Sequence, residues 1–191
     1  MLDLTPIFAA FPILETDRLQ LRAVSADDTA DILHLFSSFE VMRYIGRTPL
    51  TTPEQAAQRV AAYQMVFKEQ TGIAWGITLR EDSRLIGTFV LWNMDAAHHR
   101  AEIGYLLTPE WWGQGIVSEA ARAVLAFSFT IAGLHSLEAQ TAPDNAASRR
   151  VLDKLGFVQE GYFRENFYDP TTATFGDTVV YSLLKSAWAT P

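Results

Sequence analysis

Apolar and polar residues alternate singly from Arg18 to Arg22, the pattern of a half-buried strand. The period then lengthens. Ile32, Leu35, Phe36 and Phe39 recur at helical spacing, and Ser25 stands before them as a capping residue, with Asp27 and Asp28 in a first turn that favours acids. From Glu40 to Leu50 the pattern breaks at Tyr44, Gly46 and Pro49, which predicts a loop or interrupted helix able to line a cleft. Thr52-Pro53-Glu54-Gln55 is a helix start, with a capping threonine and a proline at the first helical position, and Gly72 ends the helix near Gln70.

Ile73 to Arg80 and Arg84 to Trp92 read as strands joined by a hairpin at Glu81-Asp82-Ser83. A second turn at Ala96 to His99 leads into the run Ala101 to Leu107, so three consecutive strands form an antiparallel meander. Thr108-Pro109 closes it. Ile116, Ala120, Ala123, Val124, Phe127 and Ile131 then predict a helix with one buried face. Ser136 to Thr141 is a strand reached by a helical crossover, hence parallel to the strand of Glu102. Asn145 to Leu155 is a helix closed by Gly156, and final strands near Gln159 to Phe167 and Thr178 to Leu184 flank a turn at Asp169-Pro170-Thr171-Thr172. The fold class is a mixed α/β sheet flanked by helices.

Between the third meander strand and its helix lie Gly113, Gln114 and Gly115. Glycines there let a ligand approach the backbone, and the free N–H groups of the helix start favour phosphate, with Ser118 able to add a hydroxyl. The run Gly113 to Ser118 is also near the dinucleotide fingerprint, with Glu138 near the distance of a ribose-binding acid, although the sixth position is Ser118. The meander order counts against that reading, since a dinucleotide fold alternates strands with helices. A tight turn without any ligand fits the glycines as well.

Composition narrows the chemistry. At 191 residues, with 49% hydrophobic and 19% charged residues and no linker or repeat, one soluble domain over 1–191 is expected. The absence of cysteine excludes disulfides, thiolate metal sites and a cysteine nucleophile. The apolar arm Leu4 to Leu14 holds Pro6 and Pro12 and no preceding basic residue, so neither a signal peptide nor a membrane span is expected, and a cytoplasmic location follows. A formal net charge of −7 argues against a nucleic-acid partner and suits a cationic substrate.

The strand running into WWGQGIVSEA, followed one strand later by PDNAASRRVLDKLGF, resembles the GNAT superfamily of acetyl-CoA-dependent N-acetyltransferases. The opening LETDRLQLRAVSADD and the ending DTVVYSLLKSAW resemble its RimJ/RimL branch, which acetylates protein N-termini, so the likeness covers nearly the whole chain. It implies a mostly antiparallel sheet of about seven strands with about four helices, two splayed parallel strands at the cofactor site, an acetyl-CoA-binding core near 100–157 and an N-terminal arm over 1–15. The pantetheine arm of acetyl-CoA would bond the backbone of Leu106 and Leu107 by strand addition. Its pyrophosphate would sit on the loop Trp112, Gly113, Gln114, Gly115, Ile116, Val117 and Ser118, and Asn145 would bond the pantetheine.

By the same resemblance Glu102 is the base, directly or through a water, while Asn145 also reads as a helix cap and Glu102 as a solvent-facing strand residue. The family's usual acid, a tyrosine four residues before Gly156, is replaced by Leu152; Ser148, on the same helical face as Asn145, is the substitute for holding the thiolate, or an ordinary surface serine. Glu110 stands where the superfamily usually has Gln or Arg. Tyr44 and Trp92, with Phe163, are candidates for an aromatic substrate wall, and Lys154 for the adenosine phosphate. His98-His99 lacks a third ligand at a useful spacing, so no metal is expected. The implied reaction is acetyl transfer to a primary amine within a ternary complex, by a monomer or homodimer. The acceptor is a protein N-terminus or a small amine; a non-catalytic CoA sensor and a dinucleotide-dependent oxidoreductase are the alternatives.

Overall fold

A computed structural model describes residues 2–188. Its strands are β1 (Leu14–Glu15), β2 (Leu19–Ala23), β3 (Ile73–Leu79), β4 (Asp82–Asp95), β5 (Arg100–Leu107), β6 (Ser136–Thr141), β7 (Val158–Asp169) and β8 (Thr174–Leu184). They form one sheet in the order β1-β2-β3-β4-β5-β6-β8-β7. Every pairing is antiparallel except β5 with β6. The eighth strand, beyond the seven expected, is β1: Leu14 pairs with Leu21, and two residues are too few to leave a period in the sequence.

The helices are α1 (Thr29–Ser37), α2 (Phe39–Met42), α3 (Pro53–Lys68), α4 (Ile116–Ala126) and α5 (Ala146–Lys154). The fifth, α2, is a single turn in the segment expected to be loop or broken helix; the Ser38 hydroxyl caps it by accepting from the Val41 N–H. Thr52 caps α3 as its sequence predicts, and the Gln55 side chain accepts in return from the Thr52 N–H at 3.2 Å. Ser25 caps a short 3-10 turn, Ala26–Asp28, rather than α1 itself. Asp28 is buried there and takes both Arg22 Nη groups, at 2.7 and 2.9 Å. Burial alone would raise the Asp28 carboxyl, yet Arg22 and the Ser25 N–H hold it below the ordinary carboxylate value.

Alternation along the strands divides the core in two. Ile73, Trp75 and Ile77 of β3, with Phe89 and Leu91 of β4 and Ile103 of β5, pack beneath Ile116, Ala120 and Val124 of α4 and Leu152 of α5. The opposite face, through Val24 and Leu85, meets Ile32, Leu35 and Phe36 of α1 and Ala56 and Val60 of α3. Each Val, Leu, Ile and Phe among them contributes about 1.5–3 kcal/mol by leaving water. The helix expected to run to Ile131 departs from its pattern: after Ala126 it widens into one π turn, Phe127–Ile131. The extra residue turns Phe129 into the core and leaves Ile131 67% exposed, so the buried face predicted through Ile131 ends at Phe127.

One break in the sheet matters most. Pairing of β5 with β6 runs from Arg100↔Ser136 to Ile103↔Ala139 and stops, although β5 continues to Leu107 and β6 to Thr141. The far end of β5 stays bound to β4 as far as Gly87↔Leu107. The two parallel strands therefore part beyond Ile103, leaving a backbone edge open from Gly104 onward.

Candidate active site

The mouth of this gap is the glycine loop. Gly113 and Gly115 have φ of +74° and +77°, conformations that cost other residues strain, and a side chain on Gly113 would meet nothing within 4 Å, so the loop is open to a ligand. Gly115 is the N-cap of α4, whose first internal bond runs from the Glu119 N–H to the Gly115 carbonyl. The N–H groups of Ile116, Val117 and Ser118 precede that ladder and are the orphan donors of the helix start. Side chains play the smaller part: Ile116 lies in the core, Ser118 is 5% exposed, Val117 packs partly against the core, and the Gln114 amide bonds the Glu110 carbonyl at 2.9 Å. Trp112 donates its indole N–H to the Leu107 carbonyl at 2.8 Å. That carbonyl is thus already engaged, and the open edge is Gly104 to Leu106, with the Leu106 side chain packed against the second core.

On the face of α1 to α3, strand register places Trp92, Glu102, Glu138 and Ser182 in one row across β4, β5, β6 and β8. Glu102 lies one residue before the strands part, about 7 Å along the face from Gly104 at strand spacing. Asn93 donates to its Oε2 at 2.9 Å. Burial pushes the Glu102 carboxyl above its ordinary value, the Asn93 bond partly offsets this, and the neighbouring Glu138 charge adds to the rise. Such a group is a stronger base than a solvated glutamate.

On the other face, Ser148 Oγ lies 2.9 Å from the Tyr105 hydroxyl. Asn145 caps α5, its Oδ1 accepting from the Ser148 N–H at 3.1 Å, which leaves its amide NH2 as the group a ligand can use. Leu152 is buried in the core, so no hydroxyl enters from that position. Tyr105 instead brings a phenol to Ser148 from the strand. It escaped the sequence reading, although alternation aligns it with Ile103 and Leu107, and a buried tyrosine among apolar neighbours needs a partner for its hydroxyl. Burial pushes the Tyr105 phenol up to about 12, despite the Ser148 bond.

A cavity of about 430 Å³ adjoins the β6 side of the gap, lined among others by Phe39, Arg43, Tyr44, Gln140, Asp144 and Phe167. Gln140 links it to the acidic row, donating to Glu138 at 3.0 Å. Phe167 closes one wall by pressing on Gly46. Tyr44 thus faces the cavity, whereas Trp92 stands in the acidic row, 42% exposed, and Phe163 lies on β7 at 52% exposure; the three do not form one wall. Lys154 is exposed at the end of α5, and in the β4–β5 turn His98 is exposed and His99 half-buried.

A slot between parted parallel strands thus opens beside a helix start with unpaired backbone donors. The chain belongs to the acetyltransferase (GNAT) domain family, whose model matches residues 18–158. It is 41% identical over 175 residues to the uncharacterized N-acetyltransferase YoaA of Bacillus subtilis (strain 168), covering 92% of this chain and 98% of YoaA. It is 26% identical to the spermidine N(1)-acetyltransferase of Vibrio cholerae serotype O1, over 79% of this chain and 85% of that one. Among solved structures, a GNAT-family acetyltransferase from Bacillus anthracis superposes with a TM-score of 0.81 at 26% identity, over 92% of this chain and 99% of its own. The ribosomal-protein-S5-alanine acetyltransferase of Vibrio fischeri shares the fold, with a TM-score of 0.75 at 24% identity over 93% and 99% of the two chains. Family members use acetyl-CoA, and among the described residues no helix is long and apolar enough to cross a membrane.

Proposed function

We propose that this acetyltransferase moves the acetyl group of acetyl-CoA to a peptide or protein N-terminal amine by direct attack in a ternary complex. The observation that carries the reading is the parting of β5 and β6 between Glu102 on one face and the Tyr105–Ser148 pair on the other. The edge Gly104 to Leu106 offers the pantetheine amides a strand to extend, and the loop from Trp112 to Ser118 receives the pyrophosphate on backbone donors. As the new N–C bond forms and the C–S bond breaks, the amine proton passes to Glu102 through a water that spans the remaining distance. Ser148 donates its hydroxyl to the leaving sulfur, and solvent supplies the proton that completes the thiol.

The lining of the cavity suits a cationic amine, since Asp144, Asp169 and Asp177 outnumber Arg43 there. Arg43 stands in the wall, stacked 4.7 Å over the Tyr44 ring. Two of these acids accept from neutral donors that hold them ionised: Asp169 from Thr171, and Asp177 from Tyr162 and the Glu165 N–H. The threonines around them suit the polar backbone of a peptide. The choice of a peptide over a polyamine rests on the RimJ/RimL branch that the opening motif resembles.

Incubation with acetyl-CoA and a mixed pool of free-N-terminus peptides, polyamines, amino acids and aminoglycosides, read by mass spectrometry, tests this. An acetylated peptide N-terminus is the expected product. An acetylated small amine transfers the reading to metabolism or detoxification, and saturable acetyl-CoA binding without product favours a sensor. With the acceptor in hand, Gly46→Ala gives a second check, because a Cβ there collides with the Phe167 ring at a φ of +63°. Strain of about 1–2 kcal/mol at such a site should raise the acceptor KM about tenfold and leave the acetyl-CoA KM unchanged.

A further inference from the structure

The opening motif and the glycine loop are far apart in sequence and joined in space. Arg18 donates from Nη1 and Nη2 to the Gln114 carbonyl, each at 3.2 Å. The same guanidinium holds Glu119, Nε reaching Oε2 at 2.7 Å and Nη2 at 2.6 Å. The other carboxylate oxygen of Glu119 accepts from the Thr16 hydroxyl at 2.5 Å and from the Arg18 N–H at 3.1 Å. Thr16, Arg18 and Glu119 thus form a bracket around the back of the loop.

Two consequences follow from peptide geometry and charge. No described peptide bond is cis, so the Gln114 carbonyl and the Gly115 N–H point in opposite directions within their shared plane. Anchoring the carbonyl on Arg18 turns the Gly115 N–H away from the bracket. Glu119, in the first turn of α4, is itself an anion at the helix start and would oppose a phosphate there. Burial alone would raise its carboxyl, but Thr16 and Arg18 outweigh that and keep it ionised and paired.

We propose that Arg18 is a positioning residue for the phosphate-binding loop: by fixing the Gln114 carbonyl and neutralising Glu119 it sets the affinity for the pyrophosphate end of CoA without touching it. This assigns a task to the Thr16-Asp17-Arg18 motif, and it rests on the reading that the glycine loop receives the pyrophosphate.

Titration calorimetry of the full chain with CoA and with pantetheine, which lacks the pyrophosphate and nucleotide, tests it. Wild type should bind CoA more tightly than pantetheine; equal affinities would sink the loop reading itself, and the proposal with it. Arg18→Gln should raise the Kd for CoA about tenfold and leave that for pantetheine within about twofold. Arg18→Lys keeps the charge but cannot fork between Gln114 and Glu119, so it should resemble Arg18→Gln. A CoA affinity unchanged in Arg18→Gln, an equal loss for both ligands, or a wild-type CoA affinity in Arg18→Lys would each overturn the proposal. Arg18 is 47% exposed, so its loss is expected to leave the fold standing.

Discussion

Glu102→Gln should lower kcat/KM by about 10²–10⁴-fold, the range that a positioned base contributes. The substitution keeps the shape and the Asn93 contact but removes the basic lone pair, so the acetyl-CoA KM should change little and the loss should fall on kcat. The pH dependence has a definite sign. The base works ionised, and its carboxyl is raised above 4.5, so wild-type kcat/KM should fall as pH drops through that raised value, while the variant shows no such limb. Stability runs the other way. Between the unfolded and the raised folded value the native state holds the extra proton, so Glu102 stabilises the fold at low pH, and that contribution is lost as pH rises through the folded value. At neutral pH Glu102→Gln should therefore melt no lower than wild type. A variant with full activity, or one retaining the acidic limb, would remove Glu102 from the reaction and leave the family assignment untouched.

What could be read from the chain follows the range of the interactions concerned. Caps and turns are local: Thr52 with Gln55, the Asp169 turn and the glycine loop depend on neighbours within a few residues, and the sequence announces them. The meander and the parallel crossover follow from period and connection length. The π turn after Ala126 leaves no mark in the helical spacing; the Phe129 it carries inward meets Trp188 from the far end of the chain, with ring centroids 5.3 Å apart. The site divides along the same line. Glu102, Asn145 and Ser148 stood out through a resemblance of motifs, whereas Tyr105 against Ser148, Phe167 against Gly46 and Arg18 against Gln114 join distant segments that no single window contains. The Leu107 carbonyl shows the converse: strand addition left it available, and the Trp112 indole five residues later had already taken it.

Ser148→Ala should slow the acetyl-transfer step about 10²-fold, as loss of one preorganised donor to developing negative charge does. A serine hydroxyl has one hydrogen. If it is to meet the sulfur, Ser148 must accept from Tyr105 rather than donate to it, and the elevated Tyr105 phenol, about 12, keeps the tyrosine protonated and available as that donor. Tyr105→Phe removes the hydroxyl while retaining the ring against Phe89, at a centroid distance of 5.6 Å, so the fold should persist. It should lower kcat about tenfold by freeing the serine rotor. The double variant decides between a relay and two separate roles. If Tyr105 acts only through Ser148, then adding Tyr105→Phe to Ser148→Ala costs nothing further, within about twofold. Multiplied losses would mean that the phenol reaches the reacting atoms by itself, and an unaffected Ser148→Ala would return the hydroxyl to packing. The arrangement has a physical logic: Glu102 and Ser148, the proposed base and thiolate donor, lie on opposite faces of the sheet, meeting only where β5 and β6 part. Glu102 and Ser148 therefore cannot neutralise each other directly, and the proton removed from the amine does not have to cross to the sulfur within the same step.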